Sequence, residues 1–352
     1  MLNVVLIGCG RIAKRHSDLL GKGQIKGAKL VAICDTNITK ANIVSDKYNV
    51  PAYIDMDEMM QKEQVNIAVV LTPSALHAKH VINLAKYGKD IMVEKPMALT
   101  LDDVDAMIES CDRNNCRLFV IKQNRFNVPV VKLREAHQSG RFGKLILGTV
   151  RVRWARHQAY YDQDSWRGTW AMDGGVLTNQ ASHHVDMLEW IMGDVESVFS
   201  YSATALVDIE AEDTAIVMLK FKNGALGVIE ATTATRPKDL EGSISILGEY
   251  GNVVIGGFSV NRMQSWNFEK KQKDDDLVLE NFSVNPPNVY GFGHQAYYEH
   301  VVDCVSNKGP NLVDGLQGRK SLELISAIYE SIETRKEVFL RFKPKKCKLG
   351  QE

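Results

Sequence analysis

The chain has 352 residues, with Lys plus Arg and Asp plus Glu equal at 43 each. That length exceeds the size at which a single core keeps growing and predicts about two domains. The charge balance excludes a protein drawn to nucleic acid or an anionic membrane by its overall field, and leaves a small, individually recognised ligand.

From the N-terminus, short apolar runs alternate with amphipathic segments, the pattern of a parallel sheet with helices on both faces. The expected strands are Val4–Ile7, Leu30–Cys34, Ile67–Leu71, Ile91–Val93 and Leu118–Ile121, whose nearly continuous apolar character suits strands covered on both sides. Val81, Leu84 and Ala85 before Gly88 predict one helix, and Thr100 begins a second whose Val104, Met107, Ile108 and Cys111 keep helical spacing. After Phe126 the runs Leu145–Trp154, Val198–Ala205, Thr214–Phe221, Leu226–Ala231 and Ser243–Leu247 predict a largely antiparallel sheet, with turn signals such as Asn223-Gly224 between strands. Helices are expected around His183–Met192 and over Leu316–Thr334, and the charged stretch Glu269–Asp276 reads as a solvated hairpin tip. The expected organisation is residues 1–125 for a cofactor domain, 126–340 for a substrate-binding and assembly domain, and a basic tail at 341–352.

Apolar runs such as Leu2–Cys9 are far shorter than the roughly 20 residues of a membrane span, and no basic leader precedes them, so a cytoplasmic protein with no membrane partner is expected. Cys9, Cys34, Cys111, Cys116, Cys304 and Cys347 form no C-x-x-C pair and no zinc spacing, which predicts reduced thiols without a catalytic role.

The first chemistry-bearing motif is Gly8-Cys9-Gly10-Arg11-Ile12-Ala13, between a strand and a helix. In such a G-x-G-x-x-A turn the first glycine allows the tight bend, the second lets backbone approach a pyrophosphate, and the alanine keeps helix close to strand. Asp35 ends the second expected strand, 22 residues beyond Ala13, where a carboxylate can accept from adenosine ribose hydroxyls. Thr36 beside it supplies no cation for a 2′-phosphate, so NAD is expected rather than NADP. Ligands of an open α/β sheet lie beyond the carboxyl ends of its strands. This singles out Leu71-Thr72-Pro73 with His77, then Glu94-Lys95-Pro96, then Gln123-Asn124-Arg125.

Farther on, Asp173 to Asp186 packs glycines, amides and two histidines into fourteen residues. If helix begins near Thr178, Asn179 and His183 share a face, and an imidazole is the natural acceptor for the proton of a hydroxyl being oxidised. His184 is read as a buried structural residue. His183, His184 and Asp186 could offer metal ligands, but adjacent histidines leave a helix on different sides, so no metal is expected. Trp166-Arg167-Gly168-Thr169-Trp170, with Tyr160 and Tyr161 upstream, could stack on a ring and bind an anion, or could equally be packing between domains.

Taken together, V-L-I-G-C-G-R-I-A at Val5–Ala13, E-K-P at Glu94–Pro96 and G-G-V-L-T-N-Q-A-S-H-H-V-D at Gly174–Asp186 resemble the glucose-fructose oxidoreductase, inositol dehydrogenase and rhizopine-catabolism (Gfo/Idh/MocA) family over nearly the whole chain. The resemblance implies an α/β fold, an N-terminal Rossmann domain followed by an α/β domain with an open, mostly antiparallel sheet, through which the chain assembles into dimers or tetramers. It also implies a catalytic lysine at Lys95 and histidine at His183. Within the family, K-Q-N-R-F-N at Lys122–Asn127 and Y-Y-D-Q-D-S-W-R-G-T-W at Tyr160–Trp170 look most like the UDP-N-acetyl-2-amino-2-deoxyglucuronate dehydrogenases, which oxidise the C3 hydroxyl to a ketone during assembly of bacterial surface polysaccharide.

The resulting expectations are an NAD-contacting set of Gly8, Gly10, Arg11, Ile12, Asp35, Thr36, Leu71, Thr72, Pro73, His77, Glu94, Lys95, Asn124, Trp166 and Arg167, and a sugar-contacting set of Lys95, Arg156, Tyr160, Asn179 and His183. His183 would remove the hydroxyl proton, Lys95 would stabilise the developing alkoxide and Asn179 would orient the hydroxyl, though His183 and Lys95 could exchange roles. Many relatives carry aspartate at the position of Asn179, so the negative partner of a protonated His183 is missing here. A UDP-sugar is the expected substrate, with a 2-keto acid as the partner that would reoxidise bound NADH. The alternatives are a dehydrogenase of a free polyol such as inositol, and a non-catalytic NAD-binding regulator.

Overall fold

The computed structural model describes residues 1–283, 292–307, 309 and 311–340. The expected tail at 341–352, with Cys347, lies outside the described residues.

Strands β1 (Leu2–Ile7), β2 (Ala28–Cys34), β3 (Ala52–Tyr53), β4 (Ile67–Val70), β5 (Asp90–Val93) and β6 (Leu118–Val120) form one sheet in the order β3-β2-β1-β4-β5-β6. Every pairing is parallel. Such a sheet needs helical crossovers, and these are α1 (Ala13–Gly21), α2 (Ile38–Tyr48), α3 (Met56–Lys62), α4 (His77–Ala85) and α5 (Leu101–Arg113). Strand order reverses between β1 and β4, which opens a crevice past their carboxyl ends. In α5 the Thr100 side chain accepts from the Asp103 amide, Asp102 and Asp103 occupy the positive first turn, and Val104, Met107 and Cys111 are buried.

The remaining elements are α6 (Val128–Gln138), β7 (Leu145–Arg153), α7 (Gln158–Tyr161), α8 (Ser182–Met192), β8 (Val195–Ala203), β9 (Thr214–Phe221), β10 (Leu226–Thr232), β11 (Glu241–Gly248), β12 (Gly251–Gly256), β13 (Arg262–Phe268), α9 (Val278–Asn281), α10 (Gly293–Asn307), α11 (Gly315–Thr334) and β14 (Val338–Phe339). The second sheet has the order β13-β12-β11-β7-β10-β9-β8-β14 and is antiparallel except where β7 meets β10. Its inward residues, Val150, Val217, Ile229 and Ile244 among them, share a core with Leu188 and Met192 of α8 and Ile325 and Ile328 of α11. The late helix α10 packs elsewhere. Its Tyr297, Tyr298 and Val301 join Val4, Leu6 and Leu19 in the core on one face of the six-stranded sheet.

The structure corrects the reading of Glu269–Asp276. The chain leaves β13 toward α9 and not into another strand, and Asp275 is tied down by Arg141 at 2.6 Å and by the Trp266 indole at 2.8 Å. That arginine holds the carboxyl well below its usual range. Among the described residues no disulfide joins Cys9, Cys34, Cys111, Cys116 or Cys304. Burial pushes the Cys9 and Cys34 thiols up to about 12. Among the described residues no helix is long and apolar enough to cross a membrane.

Candidate active site

The crevice begins at the turn after β1. Gly8 has φ of +100°, and a Cβ there would stand 2.9 Å from the Leu71 carbonyl carbon, so only glycine fits. A Cβ on Gly10 would meet nothing within 4 Å, which leaves open room where a pyrophosphate would approach the backbone. The turn is fastened to β2 by the Cys9 amide, which donates to Asp35 Oδ2 at 2.7 Å, while the Asn37 amide donates to Oδ1 at 2.8 Å. A carboxylate offers about four acceptor sites. Asp35 therefore keeps capacity for ribose hydroxyls. Ala13, 1% exposed, opens α1 against the sheet. This glycine cradle, helix start and acidic strand end fit a dinucleotide.

The cavity that continues from this turn measures about 1340 Å³, well above the ~300–1,000 Å³ of a site for one small ligand. Gly8, Gly10, Arg11, Ile12, Asp35, Thr36, Leu71, Thr72, Pro73, His77, Glu94 and Lys95 line it from the first sheet; Arg156, Tyr160, Trp166, Arg167, Asn179 and His183 line it from the second part of the chain. Asn124 is the exception: in the tight turn Gln123–Phe126 it is Gln123 that lines the cavity. Lys40, Trp154, Asp173 and Asp239 also line it and were not anticipated. His77 is buried, with its ring nitrogens 2.8 Å from the Pro96 carbonyl and 2.7 Å from the Thr72 carbonyl, so it ties the loop after β4 to the loop after β5.

Lys95 and His183 are brought to the same cavity. The Lys95 ammonium donates to the backbone oxygen of Asn179 at 2.7 Å. Burial lowers its pKa, opposed by the charges of Glu94 and Asp173. His183, in the first turn of α8, is 8% exposed, and its Nε2 lies 2.9 Å from Gln123 Nε2. Burial, and after it the positive Lys95, hold the imidazole well below its ordinary pKa. Below Lys95, Glu94 accepts from the Lys95 amide at 2.9 Å and meets His16 at 3.1 Å, with His294 at 3.8 Å. Ligand atoms of His16, Glu94 and His294 lie within 4.8 Å of one another, but His16 already uses its second ring nitrogen on the Tyr298 hydroxyl at 2.7 Å.

The expected pairing of Asn179 with His183 on one helical face is not found. Helix α8 starts only at Ser182. Upstream, the Val176 and Leu177 amides donate to Glu212, to its carbonyl and its Oε1 respectively, both at 2.9 Å, and residues 176–180 form turns before the helix. The Asn179 amide donates to Asp173 Oδ1 at 2.7 Å. An aspartate at 179 would set two carboxylates against each other, so asparagine here goes with Asp173. Burial also pushes the Asp173 carboxyl up from its ordinary value.

In the cavity wall two guanidinium groups flank one ring. Arg156 lies 5.5 Å and Arg167 4.7 Å from the Tyr160 centroid. Arg156 pairs with Asp239 at 3.0 Å; Arg167 pairs with Asp164 at 3.0 Å and donates to the Tyr160 hydroxyl at 2.9 Å. Trp166 belongs to this cavity, whereas Trp170 is 50% exposed and packs on Tyr329. His184 is buried against Trp154, with its pKa lowered to about 4 by burial. Asp186 is taken by Arg125, at 2.7 Å to each oxygen, and by Lys122 at 3.1 Å.

Comparison with known proteins matches residues 2–122 to the model of an oxidoreductase family's NAD-binding Rossmann fold and residues 134–340 to that of the same family's C-terminal alpha/beta domain. The WlbA dehydrogenase of Bordetella pertussis, solved in complex with NADH and UDP-GlcNAcA, is 39% identical, with a TM-score of 0.89 over 97% of this chain and 99% of its own. WlbA of Chromobacterium violaceum, in complex with the same two molecules, is 39% identical with a TM-score of 0.90 over 97% of each chain. Among curated relatives, the myo-inositol 2-dehydrogenase of Thermotoga maritima is 29% identical over 96% of this chain and 98% of its own.

Proposed function

The chain belongs to the Gfo/Idh/MocA oxidoreductase family and is an NAD-dependent sugar dehydrogenase, and we propose that it oxidises the C3 hydroxyl of a UDP-linked N-acetylaminouronate to the 3-keto sugar, in bacterial surface polysaccharide biosynthesis. The observation that carries this reading is the shared cavity of Lys95 and His183, continuous with the dinucleotide turn and lined also by Arg156 and Arg167. Arg156 and Arg167 in the cavity wall, held in place by Asp239 and Asp164, keep planar donor edges that suit an anionic substrate once those pairs are exchanged for it. The 39% identity to two enzymes that hold UDP-GlcNAcA points the same way.

The Gly8 turn and Asp35 would hold NAD, which would supply the hydride acceptor. The protein's own residues handle charge and protons. His183, kept neutral by burial beside Lys95, accepts the hydroxyl proton, and the ammonium of Lys95 stabilises the oxygen that becomes negative. Asn179 acts mainly through its backbone oxygen, which fixes Lys95, and through its amide, which holds Asp173. We read residues 1–125 as serving the cofactor and 126–340 as serving substrate and assembly.

The test is NAD reduction, followed by absorbance at the NADH band, with UDP-GlcNAcA and with free myo-inositol. Reduction with the UDP-sugar alone is expected. Turnover of myo-inositol with none of the UDP-sugar would overturn the substrate and favour the polyol reading, which the 29% identical inositol dehydrogenase supports. Recycling by a 2-keto acid predicts that adding 2-oxoglutarate lets enzyme with bound NADH complete further turnovers.

A further inference from the structure

His183 is held at one ring nitrogen and open at the other. Nε2 stands 2.9 Å from Gln123 Nε2, the one hydrogen bond that the His183 ring makes among the described residues. The Gln123 side-chain oxygen is buried and has no hydrogen-bond partner among them. With the amide nitrogen facing Nε2, the amide donates and the ring's single proton sits on Nδ1. A ring in that state has no lone pair at Nδ1 for a hydroxyl. Turning the amide over sets Oε1 against Nε2, moves the ring proton there and frees Nδ1.

We propose that Gln123 is a positioning residue that selects the tautomer of His183: in the reactive state its Oε1 accepts from Nε2–H, leaving Nδ1 to take the proton of the substrate hydroxyl. This rests on the reading of His183 as the base. The hydroxyl O–H bond breaks as the Nδ1–H bond forms, the hydride passes from carbon to NAD, and the imidazolium keeps its Nε2–H bond to Oε1 until Nδ1 returns its proton to water. The charged groups that bear on His183 are Lys95, Lys122, Glu94 and Asp186, two of each sign. A neutral amide orients the ring without adding a third carboxylate, which would trap it as imidazolium.

The experiment uses the full chain with NAD and UDP-GlcNAcA. Gln123→Leu removes the acceptor; kcat is expected to fall about 10-fold to 100-fold with the NAD dissociation constant within about twofold. Gln123→Glu keeps an acceptor and adds charge; the ascending limb of the kcat against pH profile is expected to move up by about one unit or more. In parallel, NMR of ¹⁵N-histidine-labelled enzyme holding NADH, with and without UDP-GlcNAcA, reads the tautomer, the His183 signal being assigned by its loss in His183→Ala. A proton on Nε2 in the wild type, lost in Gln123→Leu, supports the proposal. An unmoved limb in Gln123→Glu, or a proton on Nδ1 in both proteins, overturns it. Near-native turnover of His183→Ala would refute the base reading separately, and the tautomer signal, which needs no turnover, would still decide the role of Gln123.

Discussion

Lys95 donates its ammonium to the backbone oxygen of Asn179 at 2.7 Å, across 84 residues of chain. The cation is thus fixed by an atom that side-chain substitution does not remove, and it stands in the cavity that His183 also lines. A fixed positive charge lowers the barrier only where negative charge develops, so its removal is a transition-state loss. Lys95→Met is expected to lower kcat on the order of 10²-fold to 10³-fold while the NAD dissociation constant changes less than about threefold. Steady-state kinetics with equilibrium titration of NAD checks this. Near-native turnover would take Lys95 out of the mechanism.

On the reading proposed above, Asp35 would set cofactor choice by charge and by hydrogen bonding to ribose. Because it also holds the Cys9 and Asn37 amides, substitution will weaken both dinucleotides, and the informative quantity is their ratio. Asp35→Ala is expected to lower the preference for NAD over NADP by about tenfold or more, since the mutant loses bonds to the NAD ribose and the repulsion of a 2′-phosphate together. Lys40, which lines the same cavity, would then be the nearby cation. An unchanged ratio in paired titrations would remove Asp35 from cofactor recognition.

The parts legible in the sequence are those governed by local rules. The five expected strands of the first sheet were apolar because both faces are covered, and the G-x-G-x-x-A turn with Asp35 needs only one strand pairing to become a site. Helix α2 buries only Ala41 and so carries no apolar stripe; its one local sign in the sequence is the Asn37 cap. Strands β12 and β13 and helix α10 lie outside the expected elements; what stabilises α10 is Tyr297 and Tyr298 packed against strands hundreds of residues away in sequence. Asn179 stands in turns before α8, in a segment tied at Leu177 to Glu212, 35 residues away, a tertiary contact that helical spacing does not encode. Gln123 carried one usable signal, its place just past the end of β6, but its contact with His183 spans 60 residues and no spacing rule reaches it.

Glu212 makes stability depend on pH. It is 3% exposed, accepts from the Leu177 amide at 2.9 Å and the Tyr329 hydroxyl at 3.1 Å, and burial pushes its carboxyl up to about 7. A carboxyl raised in the folded state binds its proton more tightly there than in the unfolded chain. Its favourable contribution is therefore full below the unfolded value near 4.5 and is lost as pH rises through about 7. The loss amounts to at most about 3 kcal/mol. Glu212→Gln keeps the acceptor and cannot ionise, so its melting temperature relative to wild type should rise between pH 5 and pH 8. Parallel melting curves at the two pH values would count against the burial argument.

Close packing beside that carboxylate also explains Gly175. A Cβ there would fall 2.2 Å from the Glu212 carbonyl oxygen, which is backbone and cannot step aside. Gly175→Ala is expected to destabilise the protein by roughly 1–3 kcal/mol and to displace the segment that carries Asn179. Denaturant unfolding measures the first effect, and a larger fall in kcat than in NAD affinity reports the second. A variant with native stability and kinetics would show that the Gly175 to Glu212 contact does not position the site.

The open face of the second sheet argues for assembly. An antiparallel strand with water on one side should alternate apolar and polar residues, yet β9 reads T-A-I-V-M-L-K-F, with Ile216 and Met218 more than half exposed on the face away from the core. Their neighbours across the ladder are Tyr201 and Phe199 on β8, and Leu226 on β10 extends the apolar patch. Arg153 on the same sheet pairs with Glu230 at 2.6 Å, which gives the patch a polar border of the kind seen around interface cores. A second copy of the chain fits such a face because the same patch would be covered on both partners. Sedimentation of the wild type should therefore show a dimer or tetramer, and Ile216→Lys with Met218→Lys should shift it toward monomer, since two ammonium groups would replace apolar contact in the patch and Glu230, the carboxylate opposite Ile216, is already held by Arg153. A wild type that sediments as a monomer at micromolar concentration, or a double variant whose assembly is unchanged, would mean that this face meets something other than a copy of itself.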